Sequence, residues 1–214
     1  MSEIDKVVRA LVANLGAPPD FGSRNELSPV LSVITVLMSL DKRKPEEIEE
    51  RIKALQSPDP DYGPLAEIRD YAGLLTPEKY LRIDPRGDGD GKRAALLLPL
   101  LDALVDSFRD FPGHSEKERA RAWAIAARPS DWSFGPFRLL GLKGFQHLRM
   151  LLGANTIIPT KDVVGFVAKA VGRAVDAPEA VYLLERAAGR LRYEISEIPR
   201  EIWARAFALP STPR

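Results

Sequence analysis

The run Val30 to Leu40, VLSVITVLMSL, leaves two options: a helix buried on nearly all sides or the central strand of a sheet. A strand needs neighbours to take up its backbone donors and acceptors, and no partner strand is visible elsewhere in the sequence. The run is therefore expected to be a buried helix. Ser28 and Pro29 open it, the proline because its fixed φ and missing N–H suit a first helical turn. That choice commits the chain to an all-α fold.

The remaining segments are punctuated in the same way. Ile4, Val7, Val8, Leu11 and Val12 recur at helical spacing, and Gly16, Pro18 and Pro19 end that helix. Lys44-Pro45-Glu46-Glu47 starts another, with acids in the first turn where they favour the helix dipole. Pro64 to Leu75 and a segment opened by Thr76-Pro77-Glu78 read as two more, and Lys92 to Arg109 as a long amphipathic helix stopped near Phe111-Pro112-Gly113. Ser115 and Glu118 have capping-box spacing at the head of a helix that runs to about Ala127. Later helices are expected at about 135–140, 144–153, 161–173, 178–189 and 199–208, which brings the total to about ten short helices. Asp84, Asp88 and Asp90 lie in a glycine-rich loop that lacks the closing bidentate acid of a calcium site, so it reads as a solvated turn. The expected organisation is a single unit, 1–214, of two helical lobes, about 28–110 and 115–175, with 1–27 and 176–214 completing one of them.

Composition removes several function classes. The 214 residues include no cysteine, which excludes disulfides, a cysteine nucleophile, thiolate zinc sites and a cysteine-held iron–sulfur cluster. His114 and His147 are the only histidines, too few for a multi-histidine metal centre. Neither a metal nor a cofactor is expected. The longest apolar runs, such as Ala94 to Leu101 with its internal Pro99, fall short of the roughly 20 residues that cross a bilayer. The first residues lack a cationic start followed by an apolar block, so a cytoplasmic protein with no membrane partner is the expectation. Residues 1–100 carry 14 basic against 17 acidic side chains, and 101–214 carry 17 against 13. The basic bias of the second part is compatible with a polyanionic partner, and equally with ordinary scatter of charge.

The stretch from Phe137 to Gly172 is the most informative. A short helix is expected to end at Gly141, with a tight turn through Leu142, Lys143 and Gly144 and a second helix from Phe145 to Leu152. Glycines on both sides of such a turn let a ligand approach the backbone. The second helix would offer its first N–H groups to an anion, with Lys143 beside them. A phosphate is the natural anion, and the arrangement is a helix–hairpin–helix able to grip a nucleic-acid backbone without reading bases.

In its context this stretch resembles the helix–hairpin–helix DNA glycosylase superfamily, to which endonuclease III belongs. The likeness runs through Gly141 to Gly144, the following helix, Gly153, the extended Ile157-Ile158-Pro159, and Thr160-Lys161-Asp162-Val163-Val164. Val167 to Gly172 looks like the family's closing helix, and looser similarity extends over about 25–205. The resemblance implies binding of double-stranded DNA through Gly141, Leu142, Lys143, Gly144, Phe145, Gln146, His147 and Lys161. It also implies base excision repair chemistry, in which a carboxylate assists release of a flipped base.

Two departures qualify that implication. Counted without gaps, the family's aspartate position holds Lys161, and a slide of one residue brings in Asp162, followed by Val163 and Val164 rather than threonine and histidine. The lysine nucleophile of bifunctional members falls near Phe145 or Gln146, neither of which can form a Schiff base. Asp162 alternatively serves only the dipole of a helix capped by Thr160. Trp132, Phe134 and Phe137 are candidates for stacking on a base or for packing between helices, while Trp123 and Trp203 read as core. The sequence thus favours a DNA-binding protein on a glycosylase-like scaffold without lyase activity. The alternatives are a monofunctional glycosylase using Asp162, and a helical protein-interaction scaffold.

Overall fold

The apolar run is a helix, Pro29–Leu40, in the computed structural model, which describes residues 1–15, 27–40, 44–56, 95–198 and 203. Its β-branched residues are weak helix formers, so tertiary burial rather than propensity holds it. Nine of its twelve residues are buried. The helix's three hydroxyls, one buried and two partly buried, are each satisfied by a carbonyl of the preceding turn. Ser32 Oγ donates to Ser28 O, Thr35 Oγ1 to Leu31 O and Ser39 Oγ to Val36 O, at 3.0, 2.7 and 2.7 Å.

Every regular element among the described residues is helical, and the all-α class follows. They hold eight α-helices rather than about ten. These are α1 (Glu3–Leu15), α2 (Pro29–Leu40), α3 (Pro45–Gln56), α4 (Leu97–Arg109), α5 (Glu116–Ala126), α6 (Gly141–Leu151), α7 (Lys161–Val171) and α8 (Ala177–Leu191). Three short 3-10 turns lie at Pro129–Ser133, Gly135–Leu139 and Ile195–Glu197. The segment expected as a helix at about 135–140 is one of these turns, because Pro136 and the glycines on either side leave too short a run for an α-helix. The expected helices at 64–75, from Thr76 and at 199–208, and the loop 84–91, lie outside the described residues apart from Trp203.

The chain divides into two units. One comprises 25–127 and 131–154; the other comprises 1–24, 128–130 and 155–214. Residues 115–175 thus contribute to both units, with one boundary after Ala154.

In the first unit α2 is flanked by α3, α4, α5 and α6. Leu97, Leu100, Leu101, Leu104 and Phe108 form the buried stripe of α4 at helical spacing. The capping box forms as expected: Ser115 Oγ accepts from Glu118 N at 3.2 Å, while Glu118 Oε2 accepts from the amides of Ser115 and His114. Phe108, Trp123, Phe137 and Phe145 make a chain of tilted and edge-on ring contacts with centroids 5.4–6.0 Å apart.

In the second unit α1 packs on α7 and α8, burying Val7 and Leu11 with Phe166, Val167, Val181 and Leu184. Trp203 joins that core edge-on to Phe166. Charged side chains of α1 reinforce the docking. The Arg173 guanidinium forks to both oxygens of Glu3 and to both of Glu179, Arg190 reaches Asp5 at 2.6 Å, and Lys6 Nζ donates to Val171 O at the carboxy-terminal end of α7. Asn155 braces the chain after α8, donating through its amide to Tyr193 O and accepting from Ile195 N.

Candidate nucleic-acid interface

The corner that was expected at Leu142–Gly144 sits earlier. Leu140 is the turn residue after the 3-10 segment, its N–H donating to Phe137 O at 3.0 Å, and α6 begins at Gly141. Gly141 has φ +64°, the left-handed region that a side chain disfavours, and a Cβ there would meet nothing within 4 Å. Leu142, Lys143 and Gly144 therefore form the first turn of an unbroken helix rather than a loop. The second helix of the expected hairpin gains a turn at the expense of the hairpin itself.

Gly144 has a different task from the one the sequence suggested. It is buried, and a Cβ on it would lie 3.1 Å from Leu140 Cβ and 3.3 Å from a Leu40 methyl. The missing side chain lets α6 lie close to the end of α2, so Gly144 supports helix packing and offers nothing to a ligand. Phe145 and Gln146, also expected to face DNA, are 0% exposed. Phe145 is in the aromatic chain, and Gln146 Oε1 accepts from Arg149 Nη1 at 2.7 Å. His147 is half-buried with Nδ1 3.2 Å from Ser39 Oγ. Burial holds its imidazole below the usual histidine pKa, so it is the neutral form that the fold accommodates.

What reaches solvent at this corner is a smaller set. Lys143 is exposed in the first turn of α6, Arg138 is exposed in the 3-10 turn just before it, and Gly141 and Leu142 are partly exposed. Neither cation has an ion-pair partner among the described residues. No side chain caps the first turn of α6, whose leading N–H groups lack intrahelical acceptors by helix geometry. From Trp132 to Thr160 the chain contains no aspartate or glutamate, while it contains Arg138, Lys143 and the buried Arg149. Phe134 and Leu139 are 67% and 54% exposed at the two ends of the 3-10 turn. Trp132 and Phe137, by contrast, pack against the core, as Trp123 does.

Lys161 and Asp162 belong to the other unit, at the start of α7. Thr160 Oγ1 accepts from Val163 N at 3.3 Å, and Asp162, partly exposed, sits where an acid favours the helix dipole. Lys161 is exposed. No group of histidine, aspartate and glutamate able to hold a metal ion occurs among the described residues, and no helix there is long and apolar enough to cross a membrane.

Sequence reading missed the buried polar pair on α6. Arg149 is 2% exposed, and its Nε donates to Ala124 O at 3.0 Å while Nη1 holds Gln146. The guanidinium thus ties α6 to the last turn of α5. A lone arginine carries no signal of burial by itself; the helical i, i+3 spacing of Gln146 and Arg149 on the same face as Phe145 was the available hint. Comparison of the chain with protein-family models, with curated proteins and with solved structures gives no match. The class that the fold defines is an all-α chain of two helical units.

Proposed function

We propose that this chain binds DNA through the sugar–phosphate backbone, using the corner from Arg138 to Lys143. The observation that carries the reading is the conjunction at one helix start. Two exposed cations without ion-pair partners among the described residues flank an amino-terminal turn that no side chain caps, within a 29-residue stretch free of acids. Amides at a helix start and nearby ammonium and guanidinium groups are the donors that phosphate oxygens accept. The resemblance of the sequence 137–172 to helix–hairpin–helix glycosylases supports the same reading, although 142–144 are helical where that pattern has a hairpin loop. Asp162 has a sufficient structural role at the head of α7, and the reading needs no base-release chemistry.

Fluorescence anisotropy of labelled duplex DNA tests it. Binding should weaken as salt is added, because counterions released from phosphates drive it. Lys143→Ala and Arg138→Ala should each weaken binding to unrelated sequences alike and lower the salt slope by about one. Binding that ignores both substitutions, or an effect confined to one sequence, would contradict a backbone grip here.

A further inference from the structure

The exposed aromatic at this corner bears on which form of nucleic acid it takes. Phe134 is 67% exposed, yet its backbone is held: its N–H donates to Asp131 O at 3.1 Å, and the next residues are Gly135, with φ +52°, and Pro136. A ring on a fixed backbone loses little freedom on binding, which is what makes aromatic anchors effective. Phe137, one 3-10 turn later, goes the other way and packs on Trp123 and Phe145, so the segment sorts one ring inward and one outward.

The charge around the outward ring selects among occupants. Asp131, the nearest acid before it in the chain, is itself only partly exposed, and the next acid after it is Asp162 in the other unit. Arg138 and Lys143 follow the ring on exposed positions. An exposed aromatic followed along the chain by two exposed cations, in the acid-free run 132–160, fits a polyanion that also presents flat apolar faces. Paired duplex hides its base faces in the stack, whereas an unpaired strand offers them.

We propose that the preferred partner is single-stranded or locally unpaired DNA, with one base stacked on Phe134 while Arg138 and Lys143 hold the flanking phosphates. This rests on the backbone-binding reading above and adds the form of the nucleic acid to it.

Anisotropy titrations of the full chain with a labelled single strand, and with the same strand paired, test both levels separately. The wild type should bind the single strand about tenfold more tightly, the step one base–aromatic stack supplies. Phe134→Ala should remove that preference and leave duplex affinity unchanged, Phe134→Trp should keep it, and Lys143→Ala should weaken both forms. The far-UV spectrum of Phe134→Ala should match the wild type, since the ring supports no core contact. Equal affinity for both forms, or a preference that survives Phe134→Ala, overturns the stacking proposal while leaving backbone binding in place. Competition by an acidic peptide as effective as the single strand overturns it in favour of a protein partner. Failure of every form to bind either nucleic acid overturns both readings.

Discussion

Ser39 Oγ meets His147 Nδ1 at 3.2 Å only as an acceptor, because its single proton is committed to Val36 O at 2.7 Å. The hydrogen bond therefore requires the proton on Nδ1 and leaves Nε2 as the basic nitrogen of His147. Burial lowers the pKa of this ring in the folded state below its ordinary 6.5. Stability is then fully present above the unfolded value and declines as pH falls below it, since the unfolded chain takes up a proton that the fold resists. Thermal unfolding midpoints measured across the mildly acidic range should fall with pH in the wild type. In His147→Gln the same scan should be flatter; an identical slope would remove His147 as the cause.

The docking of α1 should also fail on acidification, by linkage of the same sign acting in a lower pH range. Asp5 is held at about 2, below its usual 3.8, by hydrogen bonds from the Ser2 hydroxyl and amide and from Arg190. Glu3 and Glu179 are lowered by the Arg173 fork, and all three carboxylates are solvent-facing. A depressed carboxylate contributes above its unfolded pKa and ceases to do so as pH falls through the folded value. Protection of α1 amides against hydrogen exchange, taken relative to the intrinsic rate at each pH, should fall as the medium is acidified through the carboxylate range, and added salt should shift that onset. Arg173→Gln should raise exchange in α1 already at neutral pH, with α6 amides unaffected.

Gly144 and Gly141 should respond differently to a side chain. Gly144→Val forces branched carbon against Leu40 and Leu140, and overpacking of this kind costs about 1–3 kcal/mol. Gly141→Ala meets no neighbour and bears only the left-handed backbone, at about 1–2 kcal/mol. Adding Leu40→Ala to Gly144→Val should recover part of the first loss, and adding it to Gly141→Ala should recover none of the second. Chemical denaturation of the four variants reads this directly, and equal recovery in both backgrounds would refute the packing role of Gly144.

Arg149 is expected to matter more for folding than for binding. Arg149→Ala leaves Gln146 Oε1 and Ala124 O without this donor in the interior, and a buried polar group left unsatisfied costs about 1–3 kcal/mol. Denaturation midpoints should drop accordingly. A near-neutral result would show that the guanidinium reaches water in solution.

The all-α class was legible because the Val30–Leu40 run had no strand to pair with, and the capping box at Ser115 and Glu118 was legible because it is purely local. The corner at 137–144 was misread for a related reason. Two glycines three apart look alike in sequence, yet Gly141 supplies a backbone conformation and Gly144 supplies space for Leu40, and only the tertiary approach of α2 separates the roles. Phe145 and Gln146 were placed on the surface by the resemblance, while burial of their helix face was set by Trp123 and Arg149. The unit boundary after Ala154 depends on α1 packing with α7 and α8, a long-range pairing that no local pattern announces.

The most direct measurement of the central claim is a titration of isotope-labelled protein with short DNA, following backbone amide resonances. The account predicts that Arg138, Leu139, Gly141, Leu142 and Lys143 shift first and together, with α8 amides still. Shifts centred elsewhere with this corner unmoved, or no shifts at low salt, would contradict it.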